Sequence, residues 1–138
     1  MHPRDRQNAF IQKYSVIPDA HERLSAISTH KVGLEPLRDD ERVDANLVPG
    51  CVSRVWLARS FEEGRCRFRM DAQSALVKGL AAALCELYDG APPQEIAETD
   101  AELFEKLGIA RNLTPTRLNG LTNVAAFMQQ FARTHLAG

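Results

Sequence analysis

The feature that most constrains the fold is a strict alternation of side-chain types in the middle of the chain. Arg65, Arg67 and Arg69 alternate with Cys66, Phe68 and Met70. A period of two is typical of a strand with one buried face and one face in water. The preceding stretch from Val52 to Ser60 is rich in Val, Trp and Leu and predicts another strand, with a turn at Glu62-Glu63-Gly64 between them. The middle of the chain is therefore predicted to form an antiparallel hairpin.

Helical spacing of apolar residues is found on both sides of this hairpin. Before it, we predict a short helix ending ahead of Pro18 and a second helix from Asp19 to near Gly33. After it, helical patterns cover four segments, which are Ser74 to Asp89, Pro92-Pro93 to Ile96, Thr99 or Asp100 to Gly108, and a long final helix opened by Thr114-Pro115. We predict a single α+β domain over residues 1–138, with a small antiparallel sheet of about three strands and helices packed on one face.

Composition excludes several classes of partner. The formal net charge is −1, with 44% hydrophobic and 25% charged residues, so no basic surface for nucleic acid is expected. No run of about 20 apolar residues is present, and the N-terminus has no apolar core of a signal peptide, so no membrane partner is expected. Three cysteines, an odd and widely spaced set, favour reduced thiols in the cytoplasm.

A charged connector runs from Leu34 to Pro49. Its charges are Glu35, Arg38, Asp39, Asp40, Glu41, Arg42 and Asp44. A run of this kind is usually a solvated loop. The arginines of the alternating strand are expected to form its wet face, although an exposed basic stripe could also dock a partner.

The cysteines and histidines do not have the spacing of a metal site. Cys51, Cys66 and Cys85 are separated by 14 and 18 residues, whereas zinc and iron–sulfur sites normally draw two ligands from a short C-x₂-C knuckle. Cys66 and Cys85 are predicted to be small buried hydrophobes. The histidines are His2, His21, His30 and His135, and none lies near a cysteine in sequence. We therefore expect no metal ion at these residues.

Cys51 differs from the other two cysteines because it follows Pro49-Gly50, a pair that favours a tight turn. The pattern places its thiol at a loop tip just before a strand, where a partner could reach it. Gly50 lacks a Cβ and is a natural hinge for such a loop. Apolar neighbours predict a resting thiol that lies partly against the core, with a raised pKa. A structural turn cysteine is the alternative.

The residues around Cys51 resemble the active loop of the SufE family of sulfur acceptors (SufE or CsdE-like proteins). The resemblance rests on five segments in one order and spacing, which are Leu37 to Arg42, Asn46 to Leu57, Asp71 to Leu80, Phe104 to Gly108 and Leu113 to Leu121. It covers roughly residues 20 to 130. It implies a SufE/IscU-like fold, shared with U-type iron–sulfur scaffold proteins.

The resemblance also implies a function. A SufE-like protein accepts sulfur, as a persulfide on the residue matching Cys51, from a pyridoxal-phosphate-dependent cysteine desulfurase of the SufS or CsdA type. It stimulates that enzyme and passes the sulfur to a SufB-like scaffold for iron–sulfur cluster assembly. The protein is then a carrier and activator that binds no cofactor of its own, and a homodimer is left open.

Eight further residues are expected to bind the partner or support the loop: Gly50, Val52, Ser53, Arg54, Trp56, Asp71, Gln73 and Arg117. Two departures from the family pattern stand among them. Val52 replaces a polar residue, and Asp71-Ala72-Gln73 replaces a more acidic segment, which predicts weaker capping of the helix that follows.

Two other functions compete with sulfur acceptance. A U-type iron–sulfur scaffold of the same fold would need three clustered ligands, which the cysteine spacing does not favour. A cysteine hydrolase or peroxidase would need an activating partner such as a paired histidine, and the sequence offers no motif for one.

Overall fold

A computed structural model describes residues 1–29 and 35–136. In chain order, its helices and strands are α1 (Pro3–Ser15), α2 (Ala20–Ser28), β1 (Val55–Glu62), β2 (Arg65–Ala72), α3 (Ala75–Tyr88), α4 (Pro93–Ala97), α5 (Leu103–Lys106) and α6 (Pro115–Thr134). The predicted α+β class is confirmed. The expected end of the second helix near Gly33, together with His30, lies outside the described residues.

The two strands form the predicted antiparallel hairpin. Their register pairs Leu57 with Met70 and Phe61 with Cys66, and the turn places Glu63 and Gly64 at positive φ. The first strand begins at Val55 rather than Val52, because residues 52–54 belong to the preceding loop.

The expectation of about three strands was too high for the described residues. The sheet there has two strands, and Leu47 adds only a single antiparallel bridge to Trp56. Short 3₁₀ turns at Asp39–Glu41 and Asp44–Asn46 occupy the connector. The extended stretch after the second turn is short, because it soon meets Pro49, which has no N–H for a ladder.

The inner face of the hairpin forms one side of the core. Leu57, Cys66 and Phe68 are fully buried and belong to one apolar cluster with residues of α3 and α6. Full burial of a leucine or phenylalanine contributes about 1.5–3 kcal/mol each. The helices therefore cover one face of the sheet, as predicted.

Helix α3 is held close to α2 at Gly79. A Cβ at this position would overlap the backbone carbonyl of Ser28, so only glycine permits the contact. At its N-terminus α3 is capped by Ser74, whose hydroxyl accepts from the Val77 N–H at 3.3 Å. The cap is made by Ser74 rather than by Gln73, and the predicted weakening of the cap relative to the family pattern stays a prediction.

The outer face of the hairpin is covered by the charged connector. Arg69 donates to the carboxylate of Glu41, with one nitrogen–oxygen distance of 2.7 Å, and Arg42 Nε donates to Asp71 Oδ2 at 2.7 Å. Arg65 and Arg67 remain exposed, as expected for a wet face, whereas Arg69 is only partly exposed. The connector is thus a clamp on the sheet rather than a fully solvated loop.

Candidate functional site

The loop that carries Cys51 has a fixed stem. The Val48 N–H donates to the Val55 carbonyl at 2.9 Å, and Leu47 bridges Trp56. Val48 is buried in the core, so both ends of the loop are anchored on β1. Residues 49–54 project beyond this stem.

Gln73 fastens the outgoing side of the same loop. Its side-chain oxygen accepts from the backbone N–H of Arg54 at 3.2 Å. Its backbone N–H donates to the backbone carbonyl of Arg54 at 3.0 Å. The residue that departs from the family's acidic pattern therefore supports the stem. This position agrees with its predicted supporting role.

The tip of the loop rests on α6 through Gly50 and Cys51. Asn123 Nδ2 donates to the Gly50 carbonyl at 3.2 Å, and the Cys51 thiol lies 3.5 Å from the Gly120 carbonyl, which it can donate to. Gly50 has φ +81°, a backbone conformation that residues with a side chain rarely adopt. A Cβ at this position would overlap the Asn123 amide.

The Cys51 thiol is half-buried at rest, as predicted. It packs against the edge of the core, and a Cβ on Gly120 would lie 3.6 Å from its sulfur. Burial raises the pKa of the Cys51 thiol above its ordinary value. Since an unperturbed thiol is already mostly protonated at neutral pH, the resting group is the thiol rather than the nucleophilic thiolate.

A cavity of about 360 Å³ opens beside this sulfur. Its lining combines apolar side chains with four hydroxyl groups and one charged residue: Cys51, Val52, Ser53, Val55, Ser74, Val77, Thr114, Thr116, Arg117 and Gly120. Arg117 is at the start of α6, where its N–H donates to the Thr114 hydroxyl at 3.2 Å. The cavity thus brings Cys51 together with hydroxyl-bearing residues and one cationic residue in its lining.

Seven of the nine predicted site residues fall into two groups. Cys51, Val52, Ser53 and Arg117 line the cavity, while Gly50, Gln73 and Arg54 shape the loop as described above. Val52 is 84% exposed and presents an apolar surface next to the thiol.

Trp56 and Asp71 do not belong to the cavity lining. They are cross-strand neighbours, and Asp71 also accepts from Lys78 at 3.2 Å in addition to Arg42. Burial would raise the pKa of Asp71, but the hydrogen bonds from these cations outweigh it and hold that pKa below its ordinary value. The structure thus gives Asp71 a place in the clamp, at the sheet end that leads into the loop.

The residues that the helices contribute to the site were not predicted from the sequence. They are Ser74, Val77, Thr114, Thr116, Gly120 and Asn123. Among these residues, only Gly120 could have been singled out from the local sequence. A glycine inside a helix lowers helix stability, which indicates that close packing requires it there. The reason here is the neighbouring Cys51 sulfur.

The other two cysteines are in a different environment. Cys66 and Cys85 have no exposed surface, and burial raises the pKa of each thiol. Within residues 1–29 and 35–136 there is no cluster of three or more histidine, cysteine or acidic side chains placed to hold a metal ion. None of the helices described is long and apolar enough to span a membrane. Of the three cysteines, only Cys51 has exposed surface, so it is the thiol that a partner protein could reach.

A family comparison agrees with this arrangement. The SufE family model, described as an Fe-S metabolism associated domain, matches residues 8–132. An uncharacterised SufE-like protein of Synechocystis is 33% identical over 119 residues, which cover 86% of this chain and 75% of that protein.

Two longer plant proteins contain a similar segment. SufE-like protein 1 of Arabidopsis thaliana, a chloroplastic and mitochondrial protein, is 32% identical over 88% of this chain, which spans 33% of the plant protein. A chloroplastic quinolinate synthase of rice (Oryza sativa subsp. japonica) is 36% identical over 98% of this chain, which spans only 19% of it.

A solved structure shares the fold. The solution structure of a hypothetical protein from Thermus thermophilus superposes with a TM-score of 0.76, covering 97% of this chain and 96% of that one at 20% identity. The family match and the Synechocystis relative show that this chain belongs to the SufE family, which is associated with iron–sulfur metabolism.

Proposed function

We propose that this protein accepts sulfur on Cys51 from a pyridoxal-phosphate-dependent cysteine desulfurase and relays it to iron–sulfur cluster assembly. The observation that carries the proposal is the placement of one reachable thiol on an anchored loop, beside a cavity lined by hydroxyl groups and Arg117. The other two thiols are fully buried.

The transfer is a thiol–disulfide exchange that needs no external oxidant. The Cys51 thiolate attacks the terminal sulfur of the partner's persulfide, the partner's S–S bond breaks, and the partner cysteine leaves as a thiolate. One S–S bond forms as another is lost, and Cys51 now carries the extra sulfur. A second exchange, with a thiolate of a SufB-like scaffold as the attacker, returns Cys51 to its free form.

The resting geometry keeps the thiol inactive until a partner docks. In the closed loop Cys51 is protonated and faces the Gly120 carbonyl, which favours the thiol over the thiolate. Movement of the tip away from α6 would remove that burial, and the thiolate fraction would rise. Exposed Val52 and the nearby Arg117 offer apolar and cationic contacts for the docking surface of a desulfurase of the SufS or CsdA type.

The direct experiment combines the protein with a cysteine desulfurase, pyridoxal phosphate and L-cysteine, followed by non-reducing mass spectrometry. We expect an addition of about 32 Da, one sulfur atom, on the peptide that contains Cys51. Cys51→Ser should abolish the addition and lower the free energy of unfolding by no more than about 1 kcal/mol, because the half-buried side chain packs only against the edge of the core.

Cys85→Ser is the matched control. It places a hydroxyl in the apolar core and should lower stability by about 1–3 kcal/mol, but the folded protein should still accept sulfur on Cys51. Sulfur found on Cys66 or Cys85 in folded wild-type protein would contradict the proposal.

A second measurement tests the expected role as an activator. Desulfurase turnover should rise severalfold when the protein is added, since removal of the bound persulfide frees the enzyme for another cycle. Cys51→Ser should not produce this increase. Sulfide release by the purified protein alone would instead indicate an enzyme.

A U-type iron–sulfur scaffold remains the alternative to test. Cys66 and Cys85 lie on β2 and α3 with their side chains in the core, so neither could ligate a cluster without unfolding part of the sheet. Anaerobic reconstitution with iron and sulfide should therefore give no visible cluster absorbance, and the appearance of a stable cluster would favour the scaffold.

A further inference from the structure

Two consecutive loop residues are held by one face of α6. Gly120 and Asn123 are three positions apart and thus lie on the same side of the helix, where they contact Cys51 and Gly50 respectively. In the part of the chain that the structure describes, these are the only hydrogen bonds that reach residues 50–53 from outside the loop.

The two contacts differ in strength. The thiol is a weak donor, and its sulfur lies 3.5 Å from the Gly120 carbonyl oxygen. The Asn123 amide is a full donor at 3.2 Å from the Gly50 carbonyl oxygen, so it supplies most of the polar attraction between tip and helix.

Gly50 is shaped for this contact. Its backbone at φ +81° is accessible to glycine, and the space that a Cβ would fill is occupied by the Asn123 amide. The pair is therefore a fitted contact between one glycine carbonyl and one side chain, and not a chance approach of two exposed groups.

We propose that Asn123 is a positioning residue that latches the Cys51 loop in its closed state, and that sulfur transfer requires this latch to open. The first part concerns the free protein alone. The second part rests on the proposed function, since it takes Cys51 as the sulfur acceptor.

The stem of the loop would stay in place when the latch opens. The Val48–Val55 and Arg54–Gln73 hydrogen bonds join backbone near β1 and do not involve α6. Opening would thus move residues 49–53 as a short flap, which carries Cys51 away from Gly120 and into solvent.

The test measures the reactivity of Cys51 without any partner protein. Asn123→Ala removes one neutral hydrogen bond, which should increase the open fraction of the loop about fivefold. The rate of Cys51 alkylation by iodoacetamide at pH 7, followed by mass spectrometry of the Cys51 peptide, should rise by the same factor.

The pH dependence of that rate separates a latch from a general loss of structure. In Asn123→Ala the apparent pKa of Cys51 should fall toward its ordinary value, because the thiol spends more time in water. Arg117 is the only charged side chain among the residues that line the cavity, and it is unchanged in this variant. The thermal unfolding temperature should stay close to that of the wild type.

Thr122→Ala is the matched control. Thr122 is the exposed neighbour of Asn123 in α6, and its hydroxyl donates within the helix, to the Leu118 carbonyl at 3.0 Å. This variant should alkylate at the wild-type rate. Asn123→Leu, which removes the donor, keeps a similar size and adds no charge, should react about as fast as Asn123→Ala and decides the question if the alanine variant does not fold.

The latch and the proposed function can fail separately. Wild-type alkylation rates and pH profiles in both Asn123 variants would overturn the latch, even if Cys51 accepted sulfur. Faster alkylation in both variants, with no sulfur ever found on Cys51 in the presence of desulfurases, would leave the latch standing and overturn the function. If both hold, Asn123→Ala should accept sulfur faster than the wild type when desulfurase is limiting.

Discussion

The connector that leads into the Cys51 loop and the tip of that loop are held by different kinds of contact. The connector that leads into the loop is joined to the outer face of the sheet by charged pairs, Glu41 with Arg69 and Arg42 with Asp71. The tip is joined to α6 by one amide and one weak thiol donor. A charge-assisted hydrogen bond is roughly twice as strong as a neutral one, so the connector is expected to stay on the sheet while the tip moves.

This difference would allow the segment to be fixed on the sheet at its base while its tip, which carries Cys51, moves away from α6. A carrier thiol must be presented at a defined position on the surface, which a fixed stem provides. It must also leave the core to react, which a weakly held tip permits. If the connector and the tip are independent, substitutions at the tip should change Cys51 reactivity and substitutions in the connector should not.

The largest effect is expected from changing the tip at Gly50. Gly50→Ala places a methyl group where the Asn123 amide lies and strains a backbone at φ +81°. The amide should be displaced, and Cys51 alkylation should rise about fivefold, as for Asn123→Ala.

A double-mutant cycle makes this prediction sharper. With Asn123→Ala in the background, Gly50→Ala should add little further reactivity, because the hydrogen bond is already absent. Fully additive increases would mean that the two residues act on the tip separately, and the contact between them would then have no role in closing the loop.

The sequence predicted the stem of this system better than its tip. Period-two alternation from Arg65 to Met70 and the Pro49-Gly50 turn are local signals, and they correctly placed the hairpin and the loop before it. The sheet was expected to have about three strands. The 3₁₀ turns of the connector leave room for only one bridge beside β1, at Leu47.

The contacts that close the loop could not be read from local patterns. Asn123 follows Gly50 by 73 positions, and Arg69 follows Glu41 by 28. Helical periodicity in α6 identifies its apolar stripe but does not say which polar residue at the stripe's edge meets another element. Likewise, a run of charges indicates a polar segment without showing whether its partner is water or a strand of arginines.

A smaller effect is expected at Gly120. A methyl group there would lie 3.6 Å from the Cys51 sulfur, an ordinary van der Waals distance, so Gly120→Ala should fit without moving the loop. Alanine favours the helix interior by about 1 kcal/mol over glycine, and the unfolding temperature should rise by about 3 °C.

Cys51 alkylation in Gly120→Ala should fall by less than about twofold, because the thiol gains one apolar neighbour while the Asn123 contact remains. A severalfold increase would instead mean that the added methyl expels the thiol. The tip would then be tightly packed against α6 rather than weakly held.

No change in Cys51 reactivity is expected when the clamp is altered at Glu41. Hydrogen bonds from the Arg69 side chain, then from the Arg38 backbone, lower the pKa of Glu41 to about 2 in the folded protein. A carboxyl group whose pKa is lowered by folding stabilises the protein above its unfolded pKa of about 4.3, and this contribution is lost as the pH falls toward 2.

Glu41→Gln should therefore unfold at a lower temperature than the wild type at pH 7, and this difference should shrink between about pH 4.5 and pH 2 as the wild-type carboxylate becomes protonated. At pH 7 its Cys51 alkylation rate should equal that of the wild type, because the Asn123 contact is untouched and the Val48–Val55 bond still closes the stem. Asp40→Asn is the control, since Asp40 is largely exposed and its ion pair is with the exposed Arg38. If Glu41→Gln raised the alkylation rate as much as Asn123→Ala, the clamp would be holding the tip as well as the stem, and the division between a fixed base and a movable thiol would be lost.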